Sequence, residues 1–331
     1  MKCAFCNGDA NLHVEKTIIK YRKEDFNIHK LFYKCEMCKE QFTTNELDDV
    51  NINQVYNQYR EKYQIPFPKQ LTHIRERYGL SASKMAEVLG FGVNIYRNYE
   101  NGEVPNISNG TLLNLIRMPE EFKKVVMSKK NIFSENQFDK LIDKLNRLIE
   151  KEKSNNYLDR IILDENLIPN EYSGFSVPSI DKYANMFLFF LEKNTNLFKV
   201  KLNKLLFYAD FYHFKKTGYS ISGCKYQALQ NGPVPYRYDL IYDYLEQNDF
   251  IQYQLVEMGE NLVEKPLPKQ KFNNSLFDNA EFETLNTIHN NFKNYSRQKL
   301  VELSHQEKAW EEQIKHKGVI SYLNYAFNLS L

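Results

Sequence analysis

With 331 residues, 42% of them hydrophobic, the chain is long enough for two or three domains with ordinary cores and reads as soluble and globular. Its formal charge of +2 neither demands nor excludes nucleic acid, because one basic face is compatible with a near-neutral whole. Membrane spanning is not expected: the apolar run from Met186 to Leu191 is far shorter than the roughly 18 residues a membrane helix needs.

The chain opens on two CxxC pairs, Cys3 with Cys6 and Cys35 with Cys38, separated by 28 residues. A two-residue spacer lets both sulfurs of a pair face one ion, and a second pair closes a tetrahedron with no position left for water. Four soft thiolates in that arrangement suit one structural Zn²⁺. Paired disulfides would need an oxidising compartment, whereas the opening MKCAFC shows no basic and apolar leader. A redox pair would need only one CxxC, in a βαβ setting. A cytoplasmic location is therefore expected.

Between the knuckles, Leu12, Val14, Thr17, Ile19 and Tyr21, then Leu31, Phe32 and Tyr33, predict short strands in a β module too small to hold itself together without metal. Val50, Ile52, Val55, Tyr56, Tyr59 and Tyr63 predict a helix over 48–63, which Pro66 and Pro68 stop. Three short helices follow. Leu71, Ile74 and Tyr78 line the first, ended by Gly79; Ser81 or Ser83 caps the second, ended by Gly90; Gly92 or Val93 opens the third, which Asn101 and Gly102 close. Helix, tight turn and helix at this spacing predict a helix-turn-helix.

Residues 106–153 read as charged helices, the last with Phe138, Leu141, Ile142, Leu145, Leu148 and Ile149 on one face, suited to dimerisation or to packing on a neighbouring domain. The polar stretch 151–156 is a linker candidate. Beyond it, the pattern predicts helices over 182–192, 199–217, 236–247, 282–292, 296–303 and 310–314. Strands are predicted over 225–229 and 250–256, with a turn at Asn231, Gly232 and Pro233. The fold class expected is α+β and mainly helical: a zinc-pinned β module (1–67), a helix-turn-helix domain (68–117), a helical connector (118–174) and a mainly α domain with a small sheet (175–331).

In a helix-turn-helix the third helix enters the major groove with its N-terminal residues at base edges. That places Asn94 at the groove and Arg97 and Asn98 one turn on, with carboxamide and guanidinium groups that can bond adenine and guanine in bidentate fashion. Ser81, Ser83 and Lys84 are phosphate candidates, and Tyr96 and Tyr99 face the core. No catalytic constellation matches this: seven histidines are scattered, and neither a GxSxG nor an HExxH motif accompanies them. Asp210 and His213, among Phe211, Tyr212 and Phe214, read as part of an aromatic core, and Cys224 as a buried hydrophobe. No enzymatic activity is expected.

Residues 1–117 resemble the MqsA-type antitoxins through the four cysteines and the run from Gly92 to Gly102, GVNIYRNYENG. In that family an Asn and, four residues on, an Arg of this helix touch DNA. Asn94 matches the first; Asn98 stands at the second, with Arg97 displaced about 100° round the helix. Residues 180–331 resemble the Panacea, or SocA-like, domain of antitoxins through LNKLLFYAD (Leu202 to Asp210), GYSISG (Gly218 to Gly223) and QNGPVP (Gln230 to Pro235), with His305 and Trp310 consistent.

The resemblances imply an antitoxin of a type II toxin-antitoxin module. Its C-terminal domain would bind a toxin protein through a surface between Leu202 and Pro235, with Tyr208, Asn231 and Tyr236 as candidates, and a helix-turn-helix homodimer would repress the operon at its operator DNA. A transcription regulator without a toxin is the alternative; a redox or metalloenzyme using the CxxC pairs is a weaker one.

Overall fold

The computed structural model describes residues 1–154, 168–194, 196–259 and 261–331. The chain divides into two compact units, one formed by Met1–Val55 with Ile161–Leu331 and the other by Tyr56–Arg160. Helices dominate and the sheets are small and antiparallel, so the α+β, mainly helical class is observed.

In the first unit, β1 (Ala10–Tyr21) and β2 (Glu24–Cys35) form a hairpin to which the two-residue β3 (Gln41–Phe42) adds at the Cys35 end. These strands run to 12 residues each, longer than their apolar runs suggested. Arg22 and Lys23 both take positive φ at the hairpin turn, where glycine or asparagine is the usual signal, so the turn is silent in the sequence. β1 is exposed over most of its length, which is why charged residues interrupt its alternation.

Helix α1 (Asn45–Tyr63) supplies what the hairpin lacks. The Asn51 carboxamide accepts from the Leu31 amide at 2.8 Å and donates to the Leu31 carbonyl at 2.9 Å. Gln54 does the same to His29, at 2.8 Å in both directions. Two amide side chains, three residues apart on one helical face, thus replace a neighbouring strand along β2 and satisfy buried backbone groups that would otherwise be costly.

His29 also stacks on Phe327, with ring centroids 5.3 Å apart, and neither of its ring nitrogens has a hydrogen-bond partner among the described residues. Burial, then the charge of Lys16, holds its pKa below the ordinary histidine range. The unfolded chain therefore takes up a proton at about pH 6.5, before the folded one does, and stability falls as pH drops from there through the lowered folded value. Thermal melts between pH 7 and 5 are expected to show this loss in the wild type. His29→Phe, which keeps the stack, should flatten that part of the curve; parallel curves would refute the assignment.

The rest of the first unit is built on two buried helices, α8 (Ile180–Lys193) and α9 (Lys199–Thr217). Around them lie α10 (Tyr238–Gln247), α11 (Asn279–Phe292), α12 (Arg297–Gln306), α13 (Lys308–Glu311) and α14 (Tyr322–Tyr325). In place of one small sheet there are two separate hairpins, β4 (Tyr226–Leu229) with β5 (Gly232–Pro235), and β6 (Ile251–Met258) with β7 (Asn261–Pro268). The turn expected at Asn231, Gly232 and Pro233 sits one residue earlier: Gly232 and Pro233 already belong to β5, and Gln230 and Asn231 make the bend. A proline is tolerated there because β5 is an edge strand. The helix expected through Ile314 ends at Glu311.

The second unit holds α2 (Pro68–Tyr78), α3 (Ala82–Leu89), α4 (Ile95–Glu100), α5 (Ile107–Leu115), α6 (Pro119–Ser128) and α7 (Glu135–Ser154). Its core does not stop at residue 117. Phe122, Val126, Phe138, Leu141 and Leu145 join Leu71, Ile74, Met85, Val88 and Tyr96 in one cluster, so the apolar face of α7 packs on the helix-turn-helix itself. Leu145→Ala is accordingly expected to destabilise this unit by about 2–5 kcal/mol. Denaturant unfolding followed within the unit measures this, and a loss under 1 kcal/mol would mean that α7 is an accessory. In the linker candidate, residues 151–154 end α7, and 155–156 lie outside the described residues.

Candidate metal centre and nucleic-acid interface

The two knuckles are built alike. In each, the amide of the first cysteine donates to a carbonyl five residues on: Cys3 to Gly8 at 2.7 Å and Cys35 to Glu40 at 3.0 Å. The residue after each second cysteine, Asn7 or Lys39, takes positive φ to turn the chain back. Amides two residues on, Phe5 and Met37, each reach the first sulfur at 3.4 Å. Gly8 leaves room for Met37, whose Sδ would lie 2.7 Å from an added Cβ.

All four sulfurs lie within 4.8 Å of one another, with Cys3 to Cys38 at 3.7 Å and Cys6 to Cys35 at 3.4 Å. A tetrahedron of Zn–S bonds has edges of about 3.8 Å, so the spacing fits a metal ion of that size. Hydrogen bonds, led by the Cys38 amide, pull the Cys35 thiol down to about 6. Cys38 goes the other way: although the Glu40 amide lowers it, burial and the neighbouring thiols push it up to about 12. Four thiols crowded so closely do not ionise together unless a cation joins them. Cys3 and Cys35 are buried; Cys6 and Cys38 lie outside. The quartet can hold a metal ion.

In the second unit, Ser81 is the cap of α3, accepting from the Lys84 amide at 3.1 Å, and Ser83 meets it through its hydroxyl at 3.1 Å. Gly79 and Gly90 end α2 and α3 in the left-handed conformation. Helix α4 starts at Ile95, two or three residues later than expected, because the Gly92 carbonyl takes the Ile95 amide in a turn and Asn94 becomes the cap residue. Its carboxamide makes no capping bond. Asn94, Arg97 and Asn98 are all exposed, and none has a side-chain hydrogen bond among the described residues. The opposite face is locked: the Tyr96 hydroxyl donates to the Leu71 carbonyl at 2.9 Å, Arg75 pairs with Glu100 at 2.6 Å, and buried Arg60 donates to the Gly102 carbonyl at 2.7 Å.

Lys84 is placed differently from a free phosphate ligand. Its ammonium donates to the Ile132 carbonyl and to Glu87 at 2.9 Å, and lies 4.5 Å from the centre of the Phe133 ring. These contacts tie α3 to the segment before α7, a role that spacing alone does not disclose.

In the C-terminal part, the three motif runs converge. Fully buried Asp210 accepts from the Ile221 and Ser222 amides at 2.9 Å each, from the Ser222 hydroxyl at 2.6 Å and from Tyr226 at 2.8 Å. It therefore fixes the loop from Gly218 to Gly223, where an added Cβ on Gly223 would strike the Val177–Pro178 backbone. Burial raises its pKa to about 6 against these four bonds. His213 turns elsewhere, its Nδ1 3.1 Å from Thr284 Oγ1, so the two form no acid-base pair. Cys224 is buried, as expected of a small apolar residue.

Tyr208 corrects the expected toxin surface: it is buried in α9 with its hydroxyl on Glu307 at 3.2 Å, because the LNKLLFYAD helix forms the core. Asn231 and Tyr236 do reach the surface.

Residues 1–126 match the family model described as the antitoxin component of bacterial toxin-antitoxin system, MqsA. Residues 202–311 match that of the antitoxin SocA-like, Panacea domain. The chain thus carries a region similar to MqsA antitoxins followed by one similar to the Panacea domain. No curated protein matches it significantly. The MqsA match covers the cysteine quartet and α2 to α4 alike, and the Panacea match runs from the start of LNKLLFYAD to Glu311. Both families are antitoxins, which supports an antitoxin role. No helix among the described residues is long and apolar enough to cross a membrane.

Proposed function

We propose that this protein is the antitoxin of a type II toxin-antitoxin module, acting in the cytoplasm without catalysing a reaction. The observation that carries this reading is the presence of two antitoxin regions in one chain. The Panacea domain binds and silences a toxin protein. The helix-turn-helix, as a homodimer, represses the shared operon, presenting Asn94, Arg97 and Asn98 to base edges with Ser81 and Ser83 toward the backbone. Its operator would then be a palindrome with half-sites about 34–36 Å apart or a multiple of that. One Zn²⁺ at Cys3, Cys6, Cys35 and Cys38 staples the N-terminus and takes no chemical part.

The neighbouring open reading frame provides the test. Expressed alone it should arrest growth, and co-expression of this chain should restore it, with the two products copurifying. A neighbour that is harmless, or toxic but not rescued, would refute the antitoxin reading and leave a regulator without a toxin.

A further inference from the structure

The β6–β7 hairpin is a sheet of two strands, and among the described residues no third strand pairs with either outer edge. Its base is anchored, with Ile251 and Pro266 buried. Farther out, Leu255 stands opposite Glu264 and Glu257 opposite Leu262, which puts these four side chains on one face together with Tyr253. Leu255 and Leu262 are diagonal neighbours on that face, 64% and 66% exposed. A lone exposed leucine is ordinary, whereas two side by side on a strand face form the start of a contact surface. The face turns toward α9 and α10. Lys199, at the start of α9, pairs with Glu264 at 2.6 Å, and its ammonium lies 4.3 Å from the centre of the Tyr253 ring and 5.3 Å from that of Tyr242 in α10.

Helix α10 borders these leucines with carboxylates. Asp239, Asp243 and Glu246 recur at four and three residues, so they share one side of the helix, and all are exposed, as is Leu240 between the first two. Their charges reach the hairpin: after burial, Glu246, Glu264, Asp243 and Asp239 push the Tyr253 hydroxyl above the ordinary tyrosine range. That hydroxyl is itself buried with no hydrogen-bond partner among the described residues. Lys199, set against these carboxylates, is already taken by Glu264, and Asp243, Glu246 and Glu257 pair with no cation among the described residues. The negative border repels nucleic acid, and its carboxylates do not gather as metal ligands among the described residues.

We propose that this face of α10 and β6–β7 is where the C-terminal domain takes its toxin, and that the toxin brings to it a cationic surface with an apolar centre. Aliphatic groups of the toxin cover Leu240, Leu255 and Leu262, while its lysine or arginine side chains meet Asp243, Glu246 and Glu257. An apolar centre inside a charged rim is the usual anatomy of a protein interface, and the unpaired negative charge sets the sign of the partner and speeds its approach. The proposal rests on the toxin-binding reading and adds the surface and the chemistry of the partner.

Two variants of the full-length, metal-loaded protein test the two halves of the face. Leu255→Thr with Leu262→Thr removes the apolar centre and keeps strand propensity; Asp243→Lys with Glu246→Lys reverses the border near the C-terminal end of α10, where cations suit the helix dipole. All four positions are exposed, so each Tm should stay within about 2 °C of the wild type's. Glu257→Lys replaces either pair should it melt early. Affinity for the purified product of the neighbouring open reading frame is expected to fall by about tenfold or more in each variant, with rescue lost. The salt dependence of wild-type binding should vanish in the lysine variant. Unchanged affinity or full rescue in either variant would overturn the proposal. So would self-association of the wild type that the threonine variant abolishes in sedimentation, which would assign the face to a second copy.

A titration with leucine methyl labels separates this face from the antitoxin reading. The probe is a synthetic peptide of alternating leucine and lysine, with its leucine–glutamate counterpart as control. Saturable shifts at Leu240, Leu255 and Leu262 are expected with the lysine peptide alone, and weaker ones in Asp243→Lys, Glu246→Lys. No saturable shift at these leucines, or an equal one with the glutamate peptide, would overturn the assignment of the face. Failure of the wild type to rescue refutes only the antitoxin reading, and the peptide titration still decides this surface.

Discussion

Replacing Cys35 with Ser is expected to release the metal ion and unfold both knuckles, while the middle of the β1–β2 hairpin keeps its protection. The first half follows from chemistry: a four-thiolate site that loses one ligand can no longer close its tetrahedron, and apparent zinc affinities of about 10–16 kcal/mol in small domains are largely folding free energy. Among the described residues the apolar cluster there is Cys3, Ala10 and Cys35 with Tyr33 and Phe42 packed against it, too little to replace an ion. The second half follows from α1. Asn51 and Gln54 hold Leu31 and His29 through four side-chain bonds that do not involve the metal, and Phe327 covers His29 from the other side. Metal content and residue-resolved amide exchange check both halves. Equal loss of protection at His29 and at Cys3 would mean that the hairpin depends wholly on the ion; retained metal would remove the quartet from its assigned role.

The double replacement Asn94→Ala, Arg97→Ala should weaken operator binding by about 2–6 kcal/mol, taking about 1–3 kcal/mol for each bidentate base contact. Stability should change by less than about 0.5 kcal/mol per site, since the Asn94 carboxamide caps nothing and Arg97 is exposed without a partner among the described residues. Binding to the protein's own promoter fragment, measured by anisotropy at fixed salt, reads the effect against a scrambled sequence. Unchanged affinity for both DNAs would sink the α4 assignment. A uniform loss on both would recast Arg97 as a phosphate ligand, with a shallower salt dependence to match. Rescue from toxin should survive the double replacement, because α4 and the Panacea domain belong to different units.

What the sequence discloses follows physical lines. The cysteine knuckles, the glycine-ended helices and the buried faces of α2 to α4 are written in local spacing, and each was legible. The groups that complete them over long separations were not. Nothing in the string around Asn51 or Gln54 says that a carboxamide will stand in for a strand, and Arg22-Lys23 carries no hairpin signal. Lys84 reads as a surface cation until the Ile132 carbonyl, 48 residues on, is brought to it. Asp210 lies eleven and twelve residues before its amide donors, so the GYSISG motif looks like an independent loop when it is the shell of one carboxylate. The same holds for Tyr208, whose hydroxyl suggested a surface until Glu307, 99 residues away, met it in the core.

The first compact unit is assembled from the first 55 residues and the last 171 of the chain, with the helix-turn-helix unit between. On the ribosome, His29 emerges nearly 300 residues before Phe327. The helix-turn-helix unit can complete its core while the N-terminal hairpin still waits for its cover, since domains generally fold as units in order of synthesis. A chain broken off between the two would leave the middle unit finished, the hairpin face open and the Panacea-like region missing. Full-length translation thus becomes a condition for one of the protein's surfaces but not for the other.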